Sequence, residues 1–191
     1  MTHIEKKYFV KIPKNVSTYY CESNHLIIFV TSSARKVLIL KTKVIFEKKK
    51  RILKITRTPF FDISNNERKK LKIIQGTQVS LLKQALLDIS FTFCKKLNLI
   101  GVGFRVSTLK ILEMNLLHFK LGYSHQIYFK IPTNLKICCL KANKIFIIGY
   151  SYLFVTQIAS LIRSYKIPEP YKGKGIVYTT EKITLKEGKK V

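Results

Sequence analysis

The chain has 191 residues, of which 47% are hydrophobic, and this composition excludes an intrinsically disordered protein while allowing one domain or two compact ones. Its 36 lysines and arginines outnumber 10 aspartates and glutamates, and the resulting net charge of +26 destabilises a compact free chain by self-repulsion. The charge therefore indicates a polyanionic partner, for which a nucleic acid is favoured over an anionic membrane surface.

The N-terminal residues, Met1–Val10, lack an apolar core, a small-residue cleavage site and an Arg/Ser-rich amphipathic pattern. The chain is therefore predicted to be made in the compartment where it works. No apolar run approaches the roughly 18 residues that span a bilayer. Runs such as Leu26–Val30 and Ile145–Ile148 have the length of strands, which argues against an integral membrane protein.

Short runs of β-forming residues fill the first half of the chain. They predict strands at Leu26–Val30, Val37–Leu40, Val44–Phe46 and Ile52–Ile55. The segment Thr58–Gln75 lacks a clear period and is predicted to be a loop. A helix follows, because apolar residues recur at spacings of three and four and form one face. That face carries Val79, Leu82, Leu86, Ile89 and Phe93, and the other faces carry Gln78, Lys83, Gln84 and Asp88.

The second half repeats the order of strands followed by a helix. The predicted strands are Leu97–Val106, Met114–Leu121, Ile127–Lys130, Leu135–Leu140 and Lys144–Ile148, and the predicted helix is Tyr152–Tyr165. This order predicts an α+β protein with two similar small domains, each an antiparallel-rich sheet with a helix packed on one face. The expected boundaries are 1–93 and 94–191.

Motifs of enzymes and metal sites are missing from the sequence. Gly101-Val102-Gly103 begins like a dinucleotide fingerprint, but Val106 occupies the place of the third glycine. The ten carboxylates form no spaced pair that indicates acid/base catalysis. No enzymatic activity, cofactor or metal is therefore expected.

The cysteines and histidines indicate packing rather than chemistry. The four cysteines, which form no C-x-x-C pair, are Cys21, Cys94, Cys138 and Cys139. We interpret them as reduced packing residues. Alternation along a strand places His118 with Lys120 on a polar face, so His118 is expected to face solvent or RNA.

The kind of basic residue narrows the mode of binding. Six of the 36 basic residues are arginines and the rest are lysines. Lysine is a point charge suited to phosphates, whereas reading of base edges favours arginine. The chain is therefore predicted to recognise the backbone and shape of a nucleic acid.

The segment Pro168–Gly175 combines two prolines with an alternating Lys-Gly-Lys-Gly run. The prolines stop the preceding helix, and the glycines allow close approach of the backbone to a partner. By itself the pattern is compatible with a phosphate-binding loop or with a mobile surface loop.

Four segments together resemble the second domain of large-subunit ribosomal protein six, in its bacterial and organellar form. They are Lys96–Arg105, Leu121–His125, Ile131–Pro132 and Arg163–Tyr178. The resemblance covers residues 95–191. Residues 8–93 resemble the family through the order of their strands and a helix beginning at Gly76-Thr77.

The resemblance implies a structural constituent of the large ribosomal subunit without enzymatic activity. Such a protein would bind large-subunit rRNA at the stem beneath the sarcin-ricin loop, close to the stalk base where translational GTPases dock. Its partners would be that rRNA and neighbouring large-subunit ribosomal proteins.

Carried over by position, the resemblance also implies a set of rRNA-facing residues. They are Gly122, Tyr123, Ser124, His125, Tyr171, Lys172, Gly173, Lys174, Gly175, Lys186, Lys189 and Lys190. A second set, Gly101, Gly103 and Arg105, would either bind rRNA or serve the structure. Main-chain N–H groups at Gly173 and Gly175 are expected to reach phosphate oxygens directly. Tyr123 and Tyr171 would pack on a ribose or a splayed base, or belong to the core.

Two positions depart from the pattern of the family. Val177 replaces a basic residue, which removes one expected phosphate contact, and Gln126 replaces the proline that often follows the histidine. The absence of tryptophan beside abundant Lys, Ile, Phe, Tyr and Asn favours an AT-rich organelle genome. A mitochondrial protein is therefore expected ahead of a plastid or bacterial one. The alternative function is a basic protein that associates with nucleic acid or membrane outside the ribosome.

Overall fold

A computed structural model describes residues 8–32, 34–47, 49–60, 64–111 and 114–188, with the side chains of residues 65–69 excepted. The chain divides into two compact units, Met1–Phe91 and Thr92–Val191. Among the described residues, each unit contains two small antiparallel sheets and one α-helix.

In its described residues, the first unit contains six strands followed by a helix. The strands are β1 (Phe9–Lys11), β2 (Ser17–Cys21), β3 (Leu26–Val30), β4 (Arg35–Ile39), β5 (Thr42–Glu47) and β6 (Ile52–Pro59). They form the sheets β1-β6-β5 and β2-β3-β4, in which all neighbours are antiparallel. The four predicted strands are confirmed as β3 to β6, whereas β1 and β2 were not predicted as strands.

Helix α1 (Asn65–Ser90) has 26 residues and begins far earlier than predicted. The prediction of a loop over Thr58–Gln75 is therefore wrong. One reason is that Gln75, which is 4% exposed, occupies a core-facing position, where its Nε2 donates to the carbonyl of Ile55 at 2.6 Å. A search for apolar periodicity does not detect a buried glutamine.

The apolar face of α1 is confirmed by the burial of Val79, Leu82, Leu86 and Ile89. Two details differ from the prediction. Phe93 lies outside the helix, which ends at Ser90. Gln78 and Asp88 are only 4% and 6% exposed, so they lie on the packed side of the helix rather than facing solvent.

The described part of the second unit contains seven strands and a helix. They are β7 (Phe93–Ile100), β8 (Arg105–Ile111), β9 (Met114–Lys120), β10 (Ile127–Lys130), β11 (Leu135–Lys141), β12 (Lys144–Gly149), α2 (Tyr152–Ser164) and β13 (Gly175–Tyr178). The sheets are β11-β12-β7-β13 and β10-β9-β8. The first and last strands of the unit, β7 and β13, are therefore neighbours.

The predicted strand Leu97–Val106 is wrong as a single element, because a turn separates β7 from β8. In that turn the N–H of Phe104 donates to the carbonyl of Gly101 at 3.3 Å, and Gly101 has a φ of +153°. A Cβ at Gly101 would lie 2.8 Å from the Phe104 ring. The close approach of that ring requires a glycine.

Helix α2 packs against β7, β12 and β13 and closes the core of the second unit. Its residues Val155, Ile158, Ala159 and Ile162 are buried. The predicted α+β class, with antiparallel-rich sheets and a helix packed on one face, is confirmed for both units, although each unit has two sheets. No helix in the described part of the chain is both long and apolar enough to cross a membrane.

Candidate nucleic-acid interface

Three of the segments singled out in the sequence meet at one groove in the second unit. The groove has a volume of about 560 Å³. It is lined by Phe104 from the β7–β8 turn, by the segment after β9 and by the segment after α2. The lining residues are Phe104, Leu121, Gly122, Tyr123, Ser164, Tyr165, Lys166, Ile167, Glu169 and Lys174.

Phe104 organises the glycines on one side of the groove. Its ring lies against Gly101, as described above, and a Cβ at Gly122 would lie 3.4 Å from the same ring. Gly103, with a φ of +75°, lies in the same turn. Arg105 is exposed and faces Lys120 across the β8–β9 pair. Gly101 and Gly122 thus allow the Phe104 ring to approach their backbone, and Arg105 is the member of the predicted set that presents charge.

Tyr123 spans the groove and joins its two sides. Its hydroxyl donates to the carbonyl of Tyr165 at 3.1 Å, and the Nζ of Lys166 lies 4.2 Å from its ring centroid. The ring of His125, from the same turn, stacks on the ring of Tyr123 with 5.3 Å between the two centroids. Tyr123 is 43% exposed and therefore does not belong to the core.

The segment Pro168–Gly175 is a closed loop, because its backbone bonds to itself. The N–H of Glu169 donates to the carbonyl of Lys174 at 2.9 Å, and the N–H of Gly173 donates to the carbonyl of Glu169 at 2.9 Å. Lys172 and Lys174 are exposed, and Tyr171 is 53% exposed. The loop presents its lysines to solvent on a fixed backbone.

The two glycines of this loop differ in how their structure bears on the expected role. The N–H of Gly173 is used inside the loop, and both Gly173 and Gly175 are buried. A Cβ at Gly175, where φ is +154°, would lie 2.6 Å from the Cα of Pro168. Gly175 permits close packing of backbone against backbone, whereas Gly173 lies beside the side chain of Leu185. The prediction that an N–H reaches phosphate is wrong for Gly173, whose N–H bonds within the loop, and it stays a prediction for Gly175.

The segment after β13 crosses the same loop. The N–H of Lys186 donates to the carbonyl of Pro170 at 2.9 Å, and a Cβ at Gly173 would lie 3.4 Å from Leu185. Lys186 is exposed and thus joins Lys172 and Lys174 around one loop. Lys189 and Lys190 lie outside the described residues.

An ion pair anchors the start of this final segment to helix α2. Arg163 donates from Nη2 and Nε to the two carboxylate oxygens of Glu181, at 2.6 and 3.1 Å. The hydrogen bonds lower the pKa of Glu181 and raise that of Arg163. Because this carboxylate is already paired, it offsets less of the positive charge of the neighbouring lysines.

Comparison with known proteins identifies the family. Residues 100–179 match the family model described as Ribosomal protein L6. The chain is 34% identical over 194 aligned residues to large ribosomal subunit protein uL6m of Reclinomonas americana, with all of both chains covered. The chain belongs to the ribosomal protein L6 family.

Relatives of the L6 family in bacteria are also similar. Large ribosomal subunit protein uL6 of Mycoplasma pneumoniae is 42% identical over 144 residues, which cover 75% of this chain and 72% of that protein. The uL6 protein of Buchnera aphidicola is 44% identical over 115 residues, which cover 60% of this chain and 63% of that protein. The L6 match over 100–179 contains all the residues that line the groove.

The structure places residues at the groove that the sequence analysis did not select as site residues. Phe104 and Lys166 both line the groove, and Lys166 lies on the ring of Tyr123. Lys166 is the second residue after the end of α2 and directly precedes Ile167-Pro168, so the predicted stop of the helix could have indicated it. Phe104 has no comparable signal, because its contact with the Gly101 and Gly122 backbone depends on tertiary structure.

The two departures from the L6 pattern have structural consequences. Val177 is 4% exposed in β13, opposite Asn98 of β7, so its side chain contributes to packing and does not reach solvent. Gln126 accepts a hydrogen bond from the hydroxyl of Tyr128. The turn thus acquires a side-chain bond at the position where the proline was expected.

The cysteines are free thiols at Cys21, Cys94, Cys138 and Cys139, of which Cys94 is exposed and the others are half-buried. No group of three or more potential metal ligands occurs among the described residues. His118 lies on the face opposite the buried Leu117 and Phe119, as expected, but it is half-buried there, and its ring stacks on Tyr128 with 5.1 Å between the centroids.

Proposed function

We propose that this chain is a structural constituent of the large ribosomal subunit, and that residues 94–191 bind large-subunit rRNA through the groove and its adjoining loop. The observation that carries the proposal is the cluster of Lys172, Lys174 and Lys186 around one backbone-bonded loop at the edge of the groove. Membership of the ribosomal protein L6 family supports this role and confirms the expectation that the chain is not an enzyme.

The physical basis of binding is the neutralisation of phosphates. Each lysine that pairs with a phosphate releases condensed counterions, so affinity falls steeply as salt concentration rises. The bonded backbone of the loop and of Lys186 holds the three lysines close to one another before binding, which lowers the entropic cost of bringing them together. Tyr171, which is exposed beside Lys172, offers an aromatic face to a ribose or a base.

The position within the subunit is part of the proposal. We infer binding at the rRNA stem beneath the sarcin-ricin loop, beside the stalk base, with neighbouring large-subunit proteins as further partners. Translational GTPases would dock nearby without being substrates of this chain. These inferences rest on family membership, and the charge and shape of the groove are compatible with a folded RNA.

The proposed location is the mitochondrial ribosome. Similarity to a uL6m protein along the whole chain and the AT-rich signature of the composition both support it. Similarity to bacterial uL6 proteins keeps a bacterial or plastid ribosome as the alternative location. The alternative function is association with nucleic acid or membrane outside the ribosome.

The test is sedimentation of the tagged chain on sucrose gradients. We expect it to travel with the large ribosomal subunit after treatment with detergent and DNase, and to be released by RNase. A double variant, Lys172→Ala with Lys174→Ala, should reduce its incorporation. Lys136→Ala with Lys144→Ala is the control, because these exposed lysines lie on β11 and β12 and do not line the groove. Recovery of the chain in a ribosome-free membrane fraction would contradict the proposal.

A further inference from the structure

We propose that the outer face of the sheet β10-β9-β8 is a second RNA contact, at which an unpaired base stacks on Tyr128 and flanking phosphates pair with lysines and an arginine. The inference rests on the proposed binding of rRNA. It adds a contact that is separate from the loop Pro168–Gly175 with its Lys172 and Lys174, called the lysine loop below. Its ligand is an unstacked nucleotide of RNA.

The register of the sheet defines this face. Tyr128 pairs with His118, which pairs with Ser107 on the other side, so the three side chains form one row. The next row contains Lys130, Leu116 and Leu109. Residues on the opposite face of the same strands are buried in the core: Val106, Leu117, Phe119 and Phe129. The outer face is therefore unoccupied by the core of its own unit.

Tyr128 is held in a fixed orientation on this face. Its hydroxyl donates to the side-chain oxygen of Gln126, and its ring stacks on His118 at an interplanar angle of 25°. It is nevertheless 48% exposed. A ring that is already oriented loses little conformational entropy when a base stacks on it.

The charges on the face indicate an anion. Arg105 lies directly opposite Lys120 on the neighbouring strand, and both are exposed. Like charges directly opposite each other destabilise a sheet, and a phosphate between them would relieve the repulsion. Lys130 adds a third exposed cation one row beyond Tyr128, and strands β8, β9 and β10 contain no acidic residue.

The same features favour RNA over a protein partner. Cores of protein interfaces are depleted in lysine, whereas an aromatic ring between cations is typical of surfaces that bind single-stranded nucleic acid. The face is also continuous with the groove, because Arg105 follows Phe104 and Lys120 precedes Leu121, and Phe104 and Leu121 line the groove. One folded RNA can therefore contact both.

The test measures binding of the full chain to a transcript of large-subunit rRNA at several salt concentrations. Tyr128→Leu is expected to weaken binding about 5- to 100-fold with an unchanged salt slope, because stacking neutralises no phosphate. Tyr128→Phe keeps the ring and should stay within about threefold of the unsubstituted chain. Lys130→Gln should lower the slope by about one.

The matched control is Tyr150→Leu, since Tyr150 is 57% exposed in the same unit but lies outside this sheet. The second contact is overturned if Tyr128→Leu binds like Tyr150→Leu while Lys172→Ala with Lys174→Ala is weakened, a result that leaves the proposed function intact. If the unsubstituted chain does not prefer this rRNA to competitor tRNA, the proposed function itself fails.

In assembled subunits, a photo-crosslinker at position 128 should label rRNA. Labelling of a protein alone would overturn the inference.

Discussion

Arg163 of helix α2 grips both carboxylate oxygens of Glu181, and Glu181 in turn accepts from the N–H of Tyr178 at 3.3 Å. The guanidinium also lies over the ring of Tyr178, with 5.8 Å between its central carbon and the ring centroid. This arrangement fixes the end of β13 and the start of the final segment to the helix. The loop that carries Lys172 and Lys174 lies between these two anchored elements.

Loss of this ion pair should loosen the end of β13. Glu181→Gln is expected to destabilise the second unit by about 1 kcal/mol, because it removes the negative charge from a bidentate, partly exposed ion pair with Arg163. Glu187→Gln removes the same charge from an exposed position and should have little effect. Hydrogen exchange of the β13 amides measures the difference, and equal exchange in the two variants would show that the pair contributes nothing.

The same pair predicts a dependence on pH. The folded state lowers the pKa of Glu181, so the stabilisation is complete above the pKa of this group in the unfolded chain. It is lost as the pH falls through the lower pKa of the folded state. The difference in β13 exchange between the unsubstituted chain and Glu181→Gln should therefore be present at neutral pH and shrink under acidic conditions. A difference that grows with acid would contradict this assignment.

Gly175 should tolerate no side chain. A Cβ there would lie 2.6 Å from the Cα of Pro168 and 2.9 Å from the carbonyl oxygen of Ile167, and both atoms belong to the backbone. We expect Gly175→Ala to destabilise the second unit by about 3 kcal/mol, because the added methyl group would overpack against this backbone and strain the positive φ of residue 175. Urea unfolding measures the loss. Gly188→Ala is the control, because apart from its chain neighbours no atom of the described residues lies within 4 Å of its added Cβ, and it should unfold like the unsubstituted chain.

The lysine loop should determine the salt dependence of rRNA binding. Replacement of Lys172 and Lys174 by alanine is expected to lower the slope of log affinity against log salt by about two, since two phosphate contacts are lost. Filter binding at several salt concentrations measures the slope. The Lys136→Ala and Lys144→Ala pair removes the same charge elsewhere and should leave the slope unchanged. An equal slope in the loop variant would mean that the loop does not contact phosphate.

The cysteines should differ in reactivity. A hydrogen bond between the Sγ of Cys21 and the hydroxyl of Ser23, at 3.2 Å, lowers the pKa of Cys21, whereas burial raises the pKa of Cys139. Because the thiolate is the reactive form, Cys21 should be alkylated faster than Cys139 at neutral pH. Mass spectrometry of iodoacetamide-treated protein measures both rates. The rates should converge in urea, and equal rates in the folded protein would count against the assigned environments.

The sequence was sufficient wherever a local pattern determined the structure. The spacing of Val79, Leu82, Leu86 and Ile89 predicted the buried face of α1, and runs of β-formers predicted most central strands. The start of α1 was missed because Gln75 is a polar residue that is buried by hydrogen bonding to the carbonyl of Ile55. A pattern of local hydrophobicity does not predict such a hydrogen bond.

The candidate site was predicted in part for the same reason. The lysines of Pro168–Gly175 were recognised as a group, but β13 was not, because Gly175 and Ile176 acquire their strand character by pairing with Ile100 and Leu99 of β7. The tertiary contacts of Gly173 and Gly175 likewise cannot be predicted from the sequence. Composition and motifs therefore indicate which segments line the candidate site. The roles of their individual residues depend on contacts with residues far away in the sequence.

The adjacency of β7 and β13 also has a consequence for synthesis of the protein. The first unit has its strands and helix by Ser90, so it can fold while the rest of the chain is still being translated. The second unit cannot complete its four-stranded sheet until Gly175–Tyr178 has been made, since that strand pairs with the first strand of the unit. The lysine loop lies just before β13, so it is fixed only at that late step. An unfinished chain would thus lack the formed loop, so we expect the proposed contact with rRNA to wait until the second unit is whole.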